Sequence, residues 1–254
     1  MLAVSWPINN KVMKQLYIFD LDNTLSESRT PIDDDMSALL CRLLSTSFVA
    51  VISGESFTEF KTQLVSRLSC KENFERFFIL PTSGGELWEY KDGDWKNVYS
   101  ERIDDALRMK VISSISTLAN IPNGREGDFI EDRGGQITYS ALGINASVEA
   151  KTVYDPDRKK RRDFIEKIAP LFPELSFRIG GKSSVDATMG GVDKSFGIDR
   201  LLAYKTIFPQ DAVFVGDALF EGGNDSAARK TGVDIVETSG PEETKKIIAG
   251  FLRE

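Results

Sequence analysis

The sequence predicts an α/β fold, a doubly wound parallel sheet interrupted by an inserted α+β unit, and three observations carry that expectation. Short continuous apolar runs such as Leu16-Tyr17-Ile18-Phe19 and Phe48-Val49-Ala50-Val51-Ile52 read as strands buried on both faces. Segments with apolar residues at helical spacing alternate with these runs, the pattern of parallel strands joined by crossover helices. The alternation breaks after Pro81 and resumes at Asp193.

The first run ends in Asp20, which places an acidic loop at the carboxyl edge of the sheet. Pro31 and the cluster Asp33-Asp34-Asp35 mark a helix start, followed by Met36, Leu39, Leu40, Leu43 and Leu44 at helical spacing. The second strand closes on Ser53-Gly54. Phe57, Phe60, Leu64 and Leu68 then mark a helix, and Phe77-Phe78-Ile79-Leu80 a third strand. Beyond Pro81, Glu86 to Tyr90 and Trp95 to Val98 flank Asp92-Gly93, whose residues tolerate the positive dihedrals of a tight hairpin turn. A helix is expected over about 102–118, a second hairpin around Gly134-Gly135, a helix over about 156–168, and strands around Phe177 and Val185. From Asp193 a helix runs through Leu202, the strand Ala212-Val213-Phe214-Val215 ends at Gly216-Asp217, and a helix starts near Asn224. A further strand at Val233 to Val236 and a helix after Pro241 complete the α/β pattern. The expected division is a discontinuous core, 1–82 and 188–254, around an inserted cap, 83–187.

Composition narrows the function. The chain has 254 residues, 41% hydrophobic and 28% charged, enough for a substantial core. A net charge of -7 with no long basic tract argues against nucleic acid as a partner. The short run Arg158-Lys159-Lys160-Arg161-Arg162 reads as a solvated helix face. Only two cysteines, Cys41 and Cys70, are present, and they are expected to be reduced thiols without a disulfide. Residues 1–10 lack the pattern of a leader and no stretch has the apolar length of a membrane span, so no membrane association and a cytoplasmic location are expected. The absence of histidine removes His-based triads and imidazole metal ligands, leaving acid-base work to carboxylates.

Four segments carry chemistry. Asp20-Leu21-Asp22-Asn23-Thr24 sets two carboxylates one residue apart at a strand end, the edge where α/β sheets bind ligands. Ser53 and Gly54 offer a hydroxyl and an unhindered amide for a phosphate oxygen. Lys194, at the start of a helix, supplies an ammonium for a phosphate and a nearby carboxylate. Asp217 and the run Gly222-Gly223-Asn224-Asp225 add oxygen ligands of the kind Mg²⁺ prefers. Each segment alone is ordinary turn or cap chemistry. All four fall at strand ends or helix starts of one predicted sheet.

Their order, nucleophile loop, serine, lysine, acidic loop, with an insert between the second and third, resembles the haloacid dehalogenase (HAD) superfamily, in the type with an α/β cap. Within it the chain is similar to the eukaryotic-type phosphomannomutases. The shared segments are Gly84-Gly85-Glu86, Phe129-Ile130-Glu131-Asp132-Arg133-Gly134-Gly135, Ile179 to Asp186, Gly191-Val192-Asp193-Lys194 and Gly222-Gly223-Asn224-Asp225. The resemblance implies Asp20 as nucleophile and Mg²⁺ ligand, and Asp22 as general acid and base that also gives a carbonyl to the metal. It implies Asp217 as a ligand, Asn224 and Asp225 as supports of the metal site, and Lys194, Ser53 and Gly54 as holders of the transferring phosphoryl group. In the cap, Arg133, Ser184 and Asp186 match positions that hold the sugar phosphate.

A mutase of this kind grips a second phosphate with cap arginines. Arg133 is retained, but the next arginine falls at Asn145 and the third near Lys151-Thr152, and lysine does not reproduce a bidentate clamp. Ser53-Gly54 and Asn23 also stand where the family has glycine. The sequence alone therefore points to a sugar-phosphate phosphatase on a phosphomannomutase-like scaffold, with phosphomannomutase as the alternative and a non-catalytic sugar-phosphate binder as a third reading. The implied partner is a small sugar phosphate. A homodimer through a cap surface bearing Trp88 or Trp95 is a further expectation.

Overall fold

A computed structural model describes residues 13–253, so the expectations for residues 1–10 lie outside the described residues. The main sheet takes β1 (Leu16–Phe19), β2 (Phe48–Ile52), β3 (Phe77–Leu80), β4 (Glu86–Lys91), β5 (Asp94–Ser100), and, after a long excursion, β10 (Ala212–Gly216) and β11 (Asp234–Glu237). Its order is β11-β10-β1-β2-β3-β4-β5, with parallel pairing from β11 through β3 and β4 running antiparallel to both β3 and β5. Alternate residues of each buried strand serve opposite faces, which is why the strands read as unbroken apolar runs. Tyr17, Phe19, Val49, Val51, Phe77 and Ile79 face α1 (Asp34–Thr46), α2 (Phe57–Gln63) and α7 (Pro241–Phe251). Leu16, Ile18, Ala50, Ile52, Phe78 and Leu80 face α6 (Lys194–Lys205).

The excursion forms an antiparallel four-stranded sheet, β6-β7-β9-β8, from β6 (Ile130–Asp132), β7 (Gln136–Ser140), β8 (Leu175–Gly180) and β9 (Ser184–Met189). Three helices accompany it: α3 (Asp105–Leu118), α4 (Val148–Tyr154) and α5 (Lys159–Ile168). Val111 and Ile115 of α3 and Ile168 of α5 close a separate core over Ile137 and Ala187 of the sheet. The doubly wound architecture and the inserted α+β unit are as the sequence predicts.

Several local expectations are corrected. The 86–100 hairpin does not belong to the inserted unit. β3 pairs with β4 at Phe78↔Glu89 and Ile79↔Trp88, so the hairpin covers what would otherwise be an exposed parallel edge. Leu87 is buried in the α6-side core, and Trp88 stacks on Phe57 at 3.9 Å between ring centroids. Trp95 packs edge-on against Phe57 and Phe77. Both tryptophans are thus committed to the main sheet, which removes the basis for a dimer through a cap surface built on them. The helix expected at Asn224 is a 3₁₀ stretch, Asn224–Lys230, and α4 arises where no helix was expected. Within the basic run, Arg161 is buried, its Nε 2.9 Å from the Asp155 carboxylate and its Nη1 donating to the carbonyls of Gly180 and Gly181. The run is therefore a structural strut as well as a solvated face. Among the described residues no helix is long and apolar enough to cross a membrane.

The cysteines are the clearest correction. Cys41 on α1 and Cys70, just before β3, are joined in a disulfide with Cα atoms 5.6 Å apart. Two cysteines in 254 residues argue against a disulfide framework, but the α1-β2-α2 wrap brings this pair together, and Cys70 packs into the main core. A cross-link spanning 29 positions restricts the unfolded chain. Cys70→Ser, or reduction of the wild type, is expected to lower the unfolding free energy by about 3 kcal/mol in urea titrations, from the loop-closure entropy of a loop this long. Equal midpoints with and without reductant would contradict the cross-link.

Candidate active site

Parallel pairing sets the acidic loops side by side. Phe19 lies opposite Val215, and the Asp20 amide donates to the Val215 carbonyl at 2.9 Å, so Asp20 and Asp217 leave neighbouring strands at the same sheet edge. Lys194 reaches this edge from the first turn of α6, whose N-cap Asp193 accepts from the Phe196 amide at 3.2 Å. The Lys194 Nζ donates to Asp20 Oδ1 and to Asp225 Oδ1, both at 2.5 Å. All three side chains are buried. Burial opposes the Lys194 charge, but the two carboxylates outweigh it and raise its pKa above the usual lysine range. Burial pushes the Asp20 carboxyl well up, against the pull of Lys194, and the charges of Asp225 and Asp217 add to the rise. Burial and the Asp225 charge lift Asp217 to about 6.

Asp20, Asp217 and Asp225 can each present one oxygen within 4.8 Å of the other two. This hard oxygen set, in a cluster with an excess of negative charge, suits a magnesium ion. The two oxygens of Asp225 are already used: Oδ1 by Lys194 and Oδ2 by the Ala218 amide at 2.9 Å. Asp20 and Asp217 are therefore the better placed to face a metal, with Asp225 holding Lys194 and the 217–218 backbone in position. Gly216 makes this possible, because a Cβ there would lie 2.5 Å from Asp225 Oδ2.

The remaining core residues surround the same point. Asp22 Oδ1 accepts from the Arg29 amide at 2.7 Å, which fixes the carboxylate in the loop, and Asn23 takes the left-handed conformation at φ 59° that asparagine tolerates. Ser53 is buried, its Oγ accepting from the Glu55 amide at 3.3 Å. Gly54 has Gln136 Nε2 2.9 Å from where a Cβ would stand, so a larger residue there would displace the Gln136 amide.

Between the two units lies a cavity of about 490 Å³. Asp20, Asp22, Ser53, Gly54, Asp217 and Asn224 line its core side. Arg133, Ser184 and Asp186 line the cap side. Lys194 and Asp225 sit behind this lining. Asp186 accepts from Thr138 Oγ1 at 2.8 Å, and burial raises its carboxyl pKa against that bond and Arg133. Arg133 is not open toward the cavity as a free clamp: its Nη1 donates to the Gly54 carbonyl at 2.5 Å, and its Nη2 to Glu55 at 2.8 Å and Glu131 at 3.2 Å.

Sequence reasoning missed several lining residues. Arg29 donates to Glu131 at 2.5 Å, Arg158 lies 3.5 Å over the Phe220 ring, and Gln136 Nε2 donates to the Gly54 carbonyl at 3.2 Å. Glu55, one residue past Ser53-Gly54, was also passed over. Burial lifts it to about 8 against the pull of Arg133, with the charge of Asp22 and the contact with Glu59 adding to the rise. Despite burial, the hydrogen bond from Glu55 and the charge of Arg133 hold Glu59 at about 2. The proximity of Glu55 to the phosphate-loop residues and the place of Arg158 in the basic run were the available signals; Gln136 had none, since its role depends on packing between distant segments.

Residues 36–254 match the eukaryotic phosphomannomutase family. A probable phosphomannomutase of Caenorhabditis elegans is 30% identical over 254 residues, 95% of this chain and 96% of that protein. Phosphomannomutase 2 of Dictyostelium discoideum is 31% identical over 221 residues, 82% of this chain and 84% of the relative. Among solved structures, a C-terminally truncated Plasmodium falciparum IMP-nucleotidase superposes with a TM-score of 0.68 at 17% identity, covering 94% of this chain and 71% of that one. A trehalose-6-phosphate phosphatase related protein gives a TM-score of 0.58 at 16% identity, covering 94% of this chain and 97% of the other. At such identities the structural likeness speaks to the fold, which agrees with the HAD architecture described above. Together with the four aligned strand-end segments, these matches identify the chain as an enzyme of phosphoryl transfer that belongs to the eukaryotic phosphomannomutase family.

Proposed function

We propose that the chain is a hexose phosphate mutase, moving a phosphoryl group between two positions of a sugar by way of phospho-Asp20. The observation that carries this reading is the cap wall of the cavity. Lys151, Arg158 and Lys182 line it, and among the described residues none of the three forms an ion pair. Burial and the neighbouring Arg29 depress the Lys151 ammonium below the ordinary lysine range, the mark of positive charge awaiting an anion. A cationic wall on the cap side, facing a nucleophile on the core side, suits a substrate with one phosphate at each end. Family membership supports the same assignment.

The chain's own residues perform the steps. Lys194 holds Asp20 through Oδ1, which leaves Oδ2 to attack phosphorus in line with the leaving sugar oxygen. Ser53 Oγ and the Gly54 amide steady the phosphoryl oxygens. Asp22, fixed through Oδ1 by the Arg29 amide, carries the proton that passes to the leaving oxygen as the P–O bond breaks and the aspartyl-phosphate forms. In the other half-reaction Asp22 takes the proton from the free hydroxyl of a hexose monophosphate, whose oxygen attacks the phosphorus of phospho-Asp20 and frees Asp20, and the bisphosphate so formed turns over before its other phosphate passes to Asp20. Mg²⁺, held by Asp20 and Asp217 with the Asp22 carbonyl and Asn224 nearby, would supply charge neutralisation for the phosphoryl oxygens.

One observation favours phosphatase activity as a second reading. Arg133 and Arg161, the cap arginines best placed by burial, are spent on protein partners, so the distal phosphate is gripped by lysines and Arg158 alone. A weaker grip lets the hexose monophosphate leave before its hydroxyl attacks, and phospho-Asp20 is left to water. Supplying mannose 1-phosphate or glucose 1-phosphate with a hexose 1,6-bisphosphate activator separates the two: 6-phosphate product in excess of free phosphate is expected, and free phosphate as the main product would establish the phosphatase. Asp20→Asn is expected to abolish both products, and turnover equal to wild type would refute the nucleophile.

Lys194→Gln tests the charge arrangement. Removing one member of a buried ionic cluster costs roughly 3–5 kcal/mol, and loss of a donor at the transferring group lowers turnover by at least about a hundredfold. Urea titration and steady-state rates read the two effects, and unchanged values in both would rule out the proposed role.

A further inference from the structure

Glu55 has no task in the reaction above, yet it is buried on the wall of the anion-binding cavity. Once ionised, above about pH 8, a carboxylate there repels the phosphate that the cavity is built to receive, so its presence needs a reason. Its Oε2 accepts from Arg133 Nη2 at 2.8 Å, and its Oε1 lies 3.8 Å from Arg29 Nε. Glu131 shares the same two arginines, at 3.2 Å from Arg133 and 2.5 Å from Arg29. Glu59 stands 3.6 Å from Arg133 Nε. Two guanidinium groups are thus surrounded by three carboxyl groups, and the cluster has no positive charge to spare.

The groups differ in origin. Arg29, Glu55 and Glu59 come from the core, whereas Glu131 and Arg133 come from the cap. Glu131 ties Arg29 to the cap and Glu59 caps the start of α2 through the Ser56 amide at 2.8 Å. Only Glu55 pairs with Arg133 from a position directly following Ser53-Gly54, beside the phosphate loop. Lys151, the wall cation, lies within electrostatic reach of Arg29, Glu131 and Glu55, so an anion seated at Lys151 is a neighbour of this cluster.

We propose that Glu55 is a specificity-determining residue, an internal acidic group that, when ionised, competes with the non-transferring phosphate of the substrate for Arg133 and Arg29. A phosphate dianion draws these arginines only by displacing the Glu55 carboxylate, which lowers the affinity for doubly phosphorylated sugars relative to a single phosphate at the core site. This rests on the sugar-phosphate reading above and adds the residue that tunes it. A Glu55 that merely braced the fold would, when neutralised, leave phosphate binding unchanged or weaken it; a competing anion has the opposite signature, a gain.

Calorimetric titration of glucose 1,6-bisphosphate and of inorganic phosphate into the full chain, in an Asp20→Asn background that prevents turnover, tests the idea. At pH 9, where Glu55 is ionised, Glu55→Gln is expected to tighten bisphosphate binding about tenfold and to leave inorganic phosphate within about twofold, the effect of removing one competing charge, and at pH 6, where Glu55 carries its proton, the gain is expected to disappear. Adding Arg133→Gln is expected to cancel the gain. Equal or weaker bisphosphate binding in Glu55→Gln overturns the inference while leaving the mutase or phosphatase reading in place. Bisphosphate binding to neither protein, with inorganic phosphate still bound, overturns both. Should Glu55→Gln fail to fold in a thermal melt, Glu55→Asp, whose shorter arm withdraws the carboxylate from Arg133, is judged by the same criteria.

Discussion

The ammonium of Lys194, held between the carboxylates of Asp20 and Asp225, is the interaction on which the site is organised. It joins three segments that are far apart in the chain: the end of β1, the start of α6 and the loop after β10. A lysine in the first turn of a helix opposes the helix dipole, and its burial adds a desolvation cost. Two buried carboxylates, each 2.5 Å from the ammonium, offset both. The arrangement leaves three acidic side chains that could together hold a metal, with a single ammonium among them, an arrangement that suits the proposed chemistry of a cation and a phosphate.

The sheet geometry explains why these segments meet. β1 is flanked by β2 and β10 in register, so the residues that follow the three strands, Asp20, Ser53 and Asp217, emerge along one edge. That edge was legible in the sequence because each strand is a short apolar run with an abrupt polar end. Alternation of side chains between two buried faces makes such runs unambiguous. Lys194 and Asp225 were legible only through the order of motifs, since each alone is an ordinary helix start or loop residue.

What the sequence concealed depends on packing between distant segments. The 86–100 hairpin has the alternation of any half-buried hairpin, and nothing local distinguishes pairing with β3 from membership of the inserted unit; Trp88 stacking on Phe57 decides it. Cys41 and Cys70 become partners because α1 and the segment before β3 are packed together, a relation that cysteine counting does not contain. Arg161 sits in a basic run in which Lys159, Lys160 and Arg162 are exposed, and only the fold shows that its guanidinium is enclosed by Asp155 and the Gly180-Gly181 carbonyls. The basic run was misread for a physical reason: charge pattern along a helix indicates a face, not which neighbour covers it.

The cap reaches the site through the loop that would hold the phosphoryl group. The Gly54 carbonyl accepts from Arg133 and from Gln136, both of the inserted unit, and Gln136 Oε1 also accepts from Ser83 Oγ at 2.8 Å, on the core side. Across the cavity, Arg158 of the cap lies over Phe220 in the acidic loop. The Ser53-Gly54 loop and the loop after β10 are thus each in contact with a cap side chain, and in the proposed reaction a shift of the cap would move the groups around the phosphoryl site as well as those at the far end of the substrate. Enclosure and catalytic geometry are then a single variable. A cap that loosens its grip on the distal end of the sugar also loosens the loops around phospho-Asp20, which gives water both the space and the time to compete with the second sugar hydroxyl.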